Sequence, residues 1–349
     1  MFYSRSKLIG SAIALGVVVS ACGSTSAAKS AVSSTSSTTS ASSKTTLSAS
    51  ALAAQAKALF PQGITLVSNL PPGGPNYSAG EALQPFLQSV LKVPVTVRPV
   101  LGGGGNTAAQ FVYNSSPNSG ILMMSYIPQL AVGELVGNGA YKLLNYTPLA
   151  GLFGNDTSIY VSKFGSPYKN FASLKASTKT ITIGVFGVKT SAGWMSAQFL
   201  SKVNHIKTAT VPFTNGAQSV DGVLSGAVDL ASVTSAQALP LIAEKRVQPV
   251  VEFAPKQLSY LPGTESIAQV GSPNEAFYNL MGVDGPPKMS AESTQVLQQA
   301  LSIIEKNPAY IAKAKKLSLT PVYENASAWK ASQKSEFNLV KSHLSILKG

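Results

Sequence analysis

The chain has one cysteine, two histidines and only 12% charged residues in its 349 positions. A lone cysteine, Cys22, excludes an internal disulfide. His205 and His343 lie far apart, so no Cys/His grouping has zinc spacing and no metal is expected. Arginine is scarcer still, with Arg5, Arg98 and Arg246 the full set, and the lysines are scattered rather than gathered on a helix. That pattern excludes groove recognition, so no nucleic acid partner is expected. Acids are few as well. The formal charge of +13 comes from 14 acidic residues against 27 basic ones, a balance that favours anionic partners. The N-terminal apolar run, 8–19, falls short of the roughly 20 residues that a membrane-spanning helix needs.

What is present begins with an export signal. Arg5 and Lys7 precede the run LIGSAIALGVVV, and small residues follow it. The segment ends Val19-Ser20-Ala21-Cys22, which resembles the lipobox of bacterial lipoprotein signals. That resemblance implies cleavage after residue 21 and lipidation of Cys22, including palmitate. Burying more than one acyl chain, at about 0.8 kcal/mol per methylene, gives stable anchoring where one chain would not. Residues 23–50 hold 18 Ser or Thr in 28 positions, with Val32 and Leu47 the only large apolar side chains. Such a segment cannot bury enough surface to order itself. Residues 22–50 are therefore read as a lipidated cysteine and a disordered tether, its ends about 30 Å apart as a flexible coil.

From residue 51 onward the composition is that of a folded domain. Only Arg5, Lys7, Lys29 and Lys44 are charged before that point, so the basic bias belongs to the folded part. Short β-rich runs recur at 64–68, 95–100, 121–125, 180–186, 209–213, 228–233 and 247–253. Helical stretches at 78–92, 106–114, 191–203 and 216–225 lie between them, with Pro85 in conflict with the first. Alternation of this kind predicts α/β architecture with mainly parallel sheets flanked by helices. Leu297, Leu301 and Ile304, then Phe337, Val340, Leu344 and Leu347, mark C-terminal helices separated by Pro308.

In open α/β sheets, ligands collect at the carboxyl ends of strands, where helix N-termini offer unpaired N–H groups. Two glycine-rich turns follow strands here: Leu70-Pro71-Pro72-Gly73-Gly74-Pro75-Asn76-Tyr77 and Gly102-Gly103-Gly104-Gly105-Asn106. Either is a tight turn or a place where backbone approaches a ligand. The second satisfies GxGxxA, but no acid occurs between Glu81 and Glu134 to hold a ribose. Gly187-Val188-Lys189-Thr190 fails as a phosphate loop because a valine separates glycine from lysine. There is no GxSxG elbow, neither histidine sits at a strand-end turn, and these loops hold no paired carboxylates. Binding without turnover, and without a cofactor, is the simplest reading. An exported enzyme acting on a small acid and a surface module binding polyanions are the alternatives.

The two loops, together with Val211-Pro212-Phe213, Gly226-Ala227-Val228-Asp229, Leu261-Pro262-Gly263-Thr264 and Gly285-Pro286-Pro287-Lys288, resemble the Bug/TctC family. These are the extracytoplasmic solute-binding proteins of tripartite tricarboxylate transporters, and the resemblance runs from about residue 60 to the end. It implies a periplasmic-binding-protein fold of type II-like form, with a hinge of two crossing segments: lobe 1 from 51–158 and 278–349, lobe 2 from 159–277. It also implies a monomer that closes on a small carboxylate and delivers it to integral-membrane transporter subunits. Carried across, lobe 1 would grip with Gly73, Gly74, Asn76, Tyr77, Gly104, Gly105, Asn106 and Ser125. Lobe 2 would offer Thr190, Ser191, Asn215, Gly216, Ala217 and Thr234. Lys189 either pairs with the ligand or stays in water. Tyr77 stands where the family usually has an acid, so the ligand of a relative does not transfer.

Overall fold

The computed structural model describes residues 46–348 apart from 187, 188 and 190. The export signal, Cys22 and the Ser/Thr-rich segment up to residue 45 lie outside the described residues. Four strands open the fold: β1 (Ile64–Ser68), β2 (Val95–Pro99), β3 (Ile121–Ile127) and β4 (Thr147–Asp156). The next five, β5 (Ile159–Lys163), β6 (Ile181–Phe186), β7 (Thr208–Phe213), β8 (Leu230–Val233) and β9 (Val247–Glu252), build a second sheet in the order β7-β6-β8-β5-β9. The chain then returns through β10 (Asn279–Gly285) and β11 (Pro321–Asn325) to complete the first sheet, β11-β4-β10-β3-β1-β2.

Helices α1 (Ala49–Leu59), α2 (Pro75–Leu91), α3 (Asn106–Tyr113) and α4 (Gln129–Leu135) belong to the first part of the chain. The middle part carries α5 (Phe171–Lys175), α6 (Ala192–Gln198), α7 (Gly216–Ser225) and α8 (Ser235–Ala243). The end of the chain adds α9 (Ala291–Ile304), α10 (Pro308–Lys316), α11 (Ala326–Ser342) and α12 (Leu344–Lys348). None of the described helices is long and apolar enough to cross a membrane.

The sheets are mixed rather than mainly parallel. β1 runs parallel to β2 and β3, and β6 parallel to β7 and β8, as strand–helix alternation requires. The strands at the crossings run the other way: β10 is antiparallel to β3 and β4, and β5 to β8 and β9. Only Thr157 and Ser158 separate β4 in one sheet from β5 in the other.

The folded part also starts before residue 51. Gln299 holds both backbone groups of Leu47, accepting its N–H (3.0 Å) and donating to its carbonyl (2.7 Å). Ser48 then caps α1 by accepting the Ala51 N–H (3.2 Å).

Pro85 lies inside α2, which begins earlier than the pattern indicated because Pro75 occupies its first turn. Leu83, Leu87 and Leu91 are buried on this helix. At about 1.5–3 kcal/mol each, their burial outweighs the roughly 3 kcal/mol cost of an interior proline. The stretch 191–203 divides: α6 ends at Gln198, and a wider turn follows, closed by the Asn204 N–H on the Phe199 carbonyl (3.1 Å).

β4 and β10 escaped the β-rich pattern because each carries glycines where a strand would ordinarily carry bulk. Gly151 and Gly282 face each other in register. A Cβ built on either would lie 2.8 Å or less from the Trp329 indole of α11, so the pair forms the seat on which that ring packs. The C-terminal stripes are core, with Leu297, Leu301, Ile304, Val340 and Leu347 all buried.

Candidate binding cleft

A cleft of about 340 Å³ opens where the two sheets meet. Its walls are the turns that leave β1, β6, β7 and β8, the strand ends at which α/β folds place ligands. From the first-sheet side come Pro71, Pro72, Gly73, Gly74 and Pro75, with Tyr126 and Gln129. From the second come Phe186, Ser191, Ala192 and Gly193, then Thr214, Asn215, Gly216 and Ala217, and lastly Ser232, Val233, Thr234 and Gln237. Ser158 and Asn279 line it from the two crossing segments.

Local sequence sets these turns. Asn215 leaves the strand extended and accepts the Gln218 N–H (2.9 Å), starting α7. Ser191 does the same for α6 through the Trp194 N–H (3.1 Å). In α8 the Gln237 side chain turns back to accept the Thr234 N–H (3.2 Å). Gly216 lies against Gln237, whose amide a Cβ there would have to push aside.

Among the described residues, those lining the cleft include no Asp, Glu, Lys, Arg or His. Asp156 stands just outside, at the end of β4. Its carboxylate accepts the Thr157 N–H (2.9 Å) and the Ser235 N–H (3.1 Å) at the start of α8. Burial nevertheless pushes its pKa up to about 6. Burial, reinforced by Asp156, also raises the Tyr126 phenol, which stays neutral.

The residues singled out from sequence divide between the cleft and its surroundings. Gly73, Gly74, Ser191, Asn215, Gly216, Ala217 and Thr234 line it. Asn76 is buried and braces the first loop, donating to the Asn69 Oδ1 and the Met124 carbonyl, both at 2.6 Å. Tyr77 is half-buried outside the lining. Gly104, Gly105 and Asn106 lie one layer back: the Gly104 carbonyl accepts from Gln129 (2.8 Å), and it is Gln129 that reaches the cleft. Asn106 is engaged with the Gly137 carbonyl (3.0 Å) and the Tyr141 hydroxyl (3.2 Å). The Ser125 hydroxyl donates to Asp284. Lys189 is exposed and borders a separate groove with Trp194 and Lys348. Thr190 lies outside the described residues.

Sequence reasoning missed Tyr126, Gln129, Ser158, Phe186, Thr214, Ser232, Gln237 and Asn279. Gln237 had a signal, since Thr234 followed three positions later by Gln spells a helix-capping pattern. Asn279 had none, because only the second crossing brings it beside Ser158.

A comparison with curated protein sequences returns no significant match. Solved structures do resemble the fold. An R. palustris protein with adipate superposes with a TM-score of 0.71 at 16% identity, covering 82% of this chain and 97% of that one. The periplasmic binding protein BugD gives 0.70 at 16% identity, covering 81% and 97%. MatC from Rhodopseudomonas palustris with bound malate gives 0.68 at 19% identity, covering 82% and 97%. The TctC family model, described as the tripartite tricarboxylate transporter family receptor, matches residues 82–341. With two mixed sheets, a cleft at their strand ends and a family match over most of its length, the chain belongs to the TctC family of tripartite tricarboxylate transporter receptors.

Proposed function

We propose that the protein is an extracytoplasmic solute-binding lipoprotein that captures a small organic anion, a mono-, di- or tricarboxylate, by closing its lobes. It then presents the anion to the membrane subunits of a tripartite tricarboxylate-type transporter. In this reading residues 51–158 and 278–349 form lobe 1 and residues 159–277 form lobe 2. The two crossings between sheets are the hinge. Lipid on Cys22, with the following tether, holds a monomer at the outer face of the cytoplasmic membrane or in the periplasm.

The observation that carries this reading is the cleft's composition. Hydroxyls, amides and helix N-termini surround a space with no Asp, Glu, Lys, Arg or His among its described lining residues. An anion is favoured at a helix N-terminus by about 0.3–1 kcal/mol when exposed and up to about 2 when partly buried. Malate and adipate in the related structures support a carboxylate as the ligand class. The described lining residues offer hydroxyls but no histidine, cysteine or carboxylate to activate them, which supports capture without chemistry.

Thermal melting of the full-length protein against a carboxylate library tests the proposal. One or a few compounds are expected to stabilise it, by about 2.7 kcal/mol at a hundredfold excess over Kd. A library that leaves the melting curve unmoved contradicts it.

A further inference from the structure

We infer that the end of α9 and the lysine-rich α10, beside the point where the chain enters the folded part, form a docking surface for an anionic lipid bilayer. This rests on the reading of Cys22 as a lipid anchor and says which side of the folded part that anchor brings to the membrane.

Helices α1, α2, α9 and α10 pack against the first sheet through one shared core, to which Leu52, Leu83, Leu297 and Tyr310 contribute one side chain from each helix. Gln299 on α9 fixes the point of entry, since it holds both backbone groups of Leu47. One turn further along, Ile303 lies on the same side of α9, because residues four apart are neighbours on a helix. Ile303 is 44% exposed, an openness that among the large apolar side chains described only Leu101 and Phe164 exceed.

The chain that follows is basic. Lys306 comes just past the end of α9, and Lys313, Lys315 and Lys316 make the last turn of α10. No acid occurs between Glu305 and Glu324. Lys306, Lys315 and Lys316 are exposed, whereas Glu305 is half-buried and Glu292 stands at the opposite end of α9. Among the described residues, the ion pairs involve none of these four lysines.

Charge and reach together select the occupant. An open apolar side chain next to unpaired lysines suits the headgroup region, where the ammonium groups meet lipid phosphates and the alkyl group meets the acyl boundary. Each lysine held near an anionic surface strengthens association about fivefold. Read as a flexible coil, the stretch between Cys22 and Leu47 holds its ends about 30 Å apart. That short reach gives the surface beside Leu47 a high effective concentration at the bilayer, so contacts too weak to act alone become occupied. Lobe 1 is then the half held down, and lobe 2 is the half that moves.

The test uses the full-length protein in vesicles that contain no transporter. An environment-sensitive dye is placed on Ile303→Cys or, as a control in the other sheet's half, on Phe164→Cys; lipid on the Cys22 sulfur leaves the new cysteine as the single free thiol. Quenching by nitroxide-bearing lipid is read in phosphatidylcholine vesicles with and without phosphatidylglycerol. The dye at 303 is expected to be quenched at least threefold more than the dye at 164, and only where phosphatidylglycerol is present. Lys306→Glu, Lys315→Glu and Lys316→Glu combined are expected to remove most of that difference with the melting temperature held, as is 1 M salt. Equal quenching at the two positions, or quenching at 303 indifferent to charge reversal and to lipid charge, would overturn the docking surface while leaving the anchor and the receptor standing. Protein that does not float with the vesicles would overturn the anchor and this inference together. Carboxylate-induced melting shifts, measured on the same sample, report separately on capture.

Discussion

Ser125, within β3, donates its hydroxyl to the carboxylate of Asp284 on β10. The same carboxylate accepts the Trp329 Nε1–H (3.0 Å) and the Gln333 amide (2.7 Å) from α11. One buried acid thus ties the central strands of the first sheet to α11. Asp284→Ala leaves three buried donors unpaired, at about 1–3 kcal/mol each, and is expected to lose about 3 kcal/mol or more in denaturant unfolding. Ser125→Ala is expected to lose about 1 kcal/mol with ligand affinity unchanged, and a large loss of affinity would return Ser125 to the binding machinery.

Stability should fall as pH rises through mild acidity. Burial pushes Asp284, Glu252 and Glu336 each up to about 7, and Asp156 up to about 6, from ordinary values of 3.8 for Asp and 4.5 for Glu. Between those ordinary values and the raised ones, the folded state holds protons that the unfolded state has released. The stabilisation is full below the unfolded pKa and is lost on the way up through the folded one. Calorimetric melting is expected to give a higher melting temperature at pH 5 than at pH 8, with Asp284→Asn flattening the slope. A melting temperature that climbs from pH 5 to pH 8 contradicts this.

Gly216→Ala forces the Gln237 amide aside, because both occupy the wall between the starts of α7 and α8. Displacement breaks the bond from the Thr234 N–H to Gln237. The expected result is about tenfold weaker carboxylate binding, equivalent to about 1.4 kcal/mol, with little change in melting temperature. Gln237→Ala added to the glycine variant should recover part of the loss, and strictly additive losses would show that the two positions do not meet.

Labelled palmitate fed to a bacterial host is expected to enter the full-length protein and to be absent from Cys22→Ala. Label retained by the variant would remove the anchor from the account.

The parts of the fold governed by local chemistry were legible in the chain. α7 runs from Gly216 to Ser225 as its pattern indicates, since Asn215 starts it and Gly226, at φ 80°, ends it. β1 reads as a strand because Ile64, Leu66 and Val67 are all buried. The cleft's second wall was legible for the same reason, as Ser191, Asn215 and Thr234 each head a helix after a strand. What escaped depends on partners distant in sequence. β4 and β10 look weak until Trp329 is seen lying on Gly151 and Gly282. Ser125 looks available until Asp284, 159 positions away, accepts its hydroxyl. The four-glycine turn looks like a ligand cradle until Gln129 is found between it and the cleft.

The most direct measurement is a crystal structure of the protein grown with the carboxylate that stabilises it most. The account predicts that compound intact between the Pro71 to Gly74 turn and the start of α7 at Gly216 and Ala217, with both sheets contributing contacts. The compound bound outside that cleft, or recovered in altered chemical form, would contradict it.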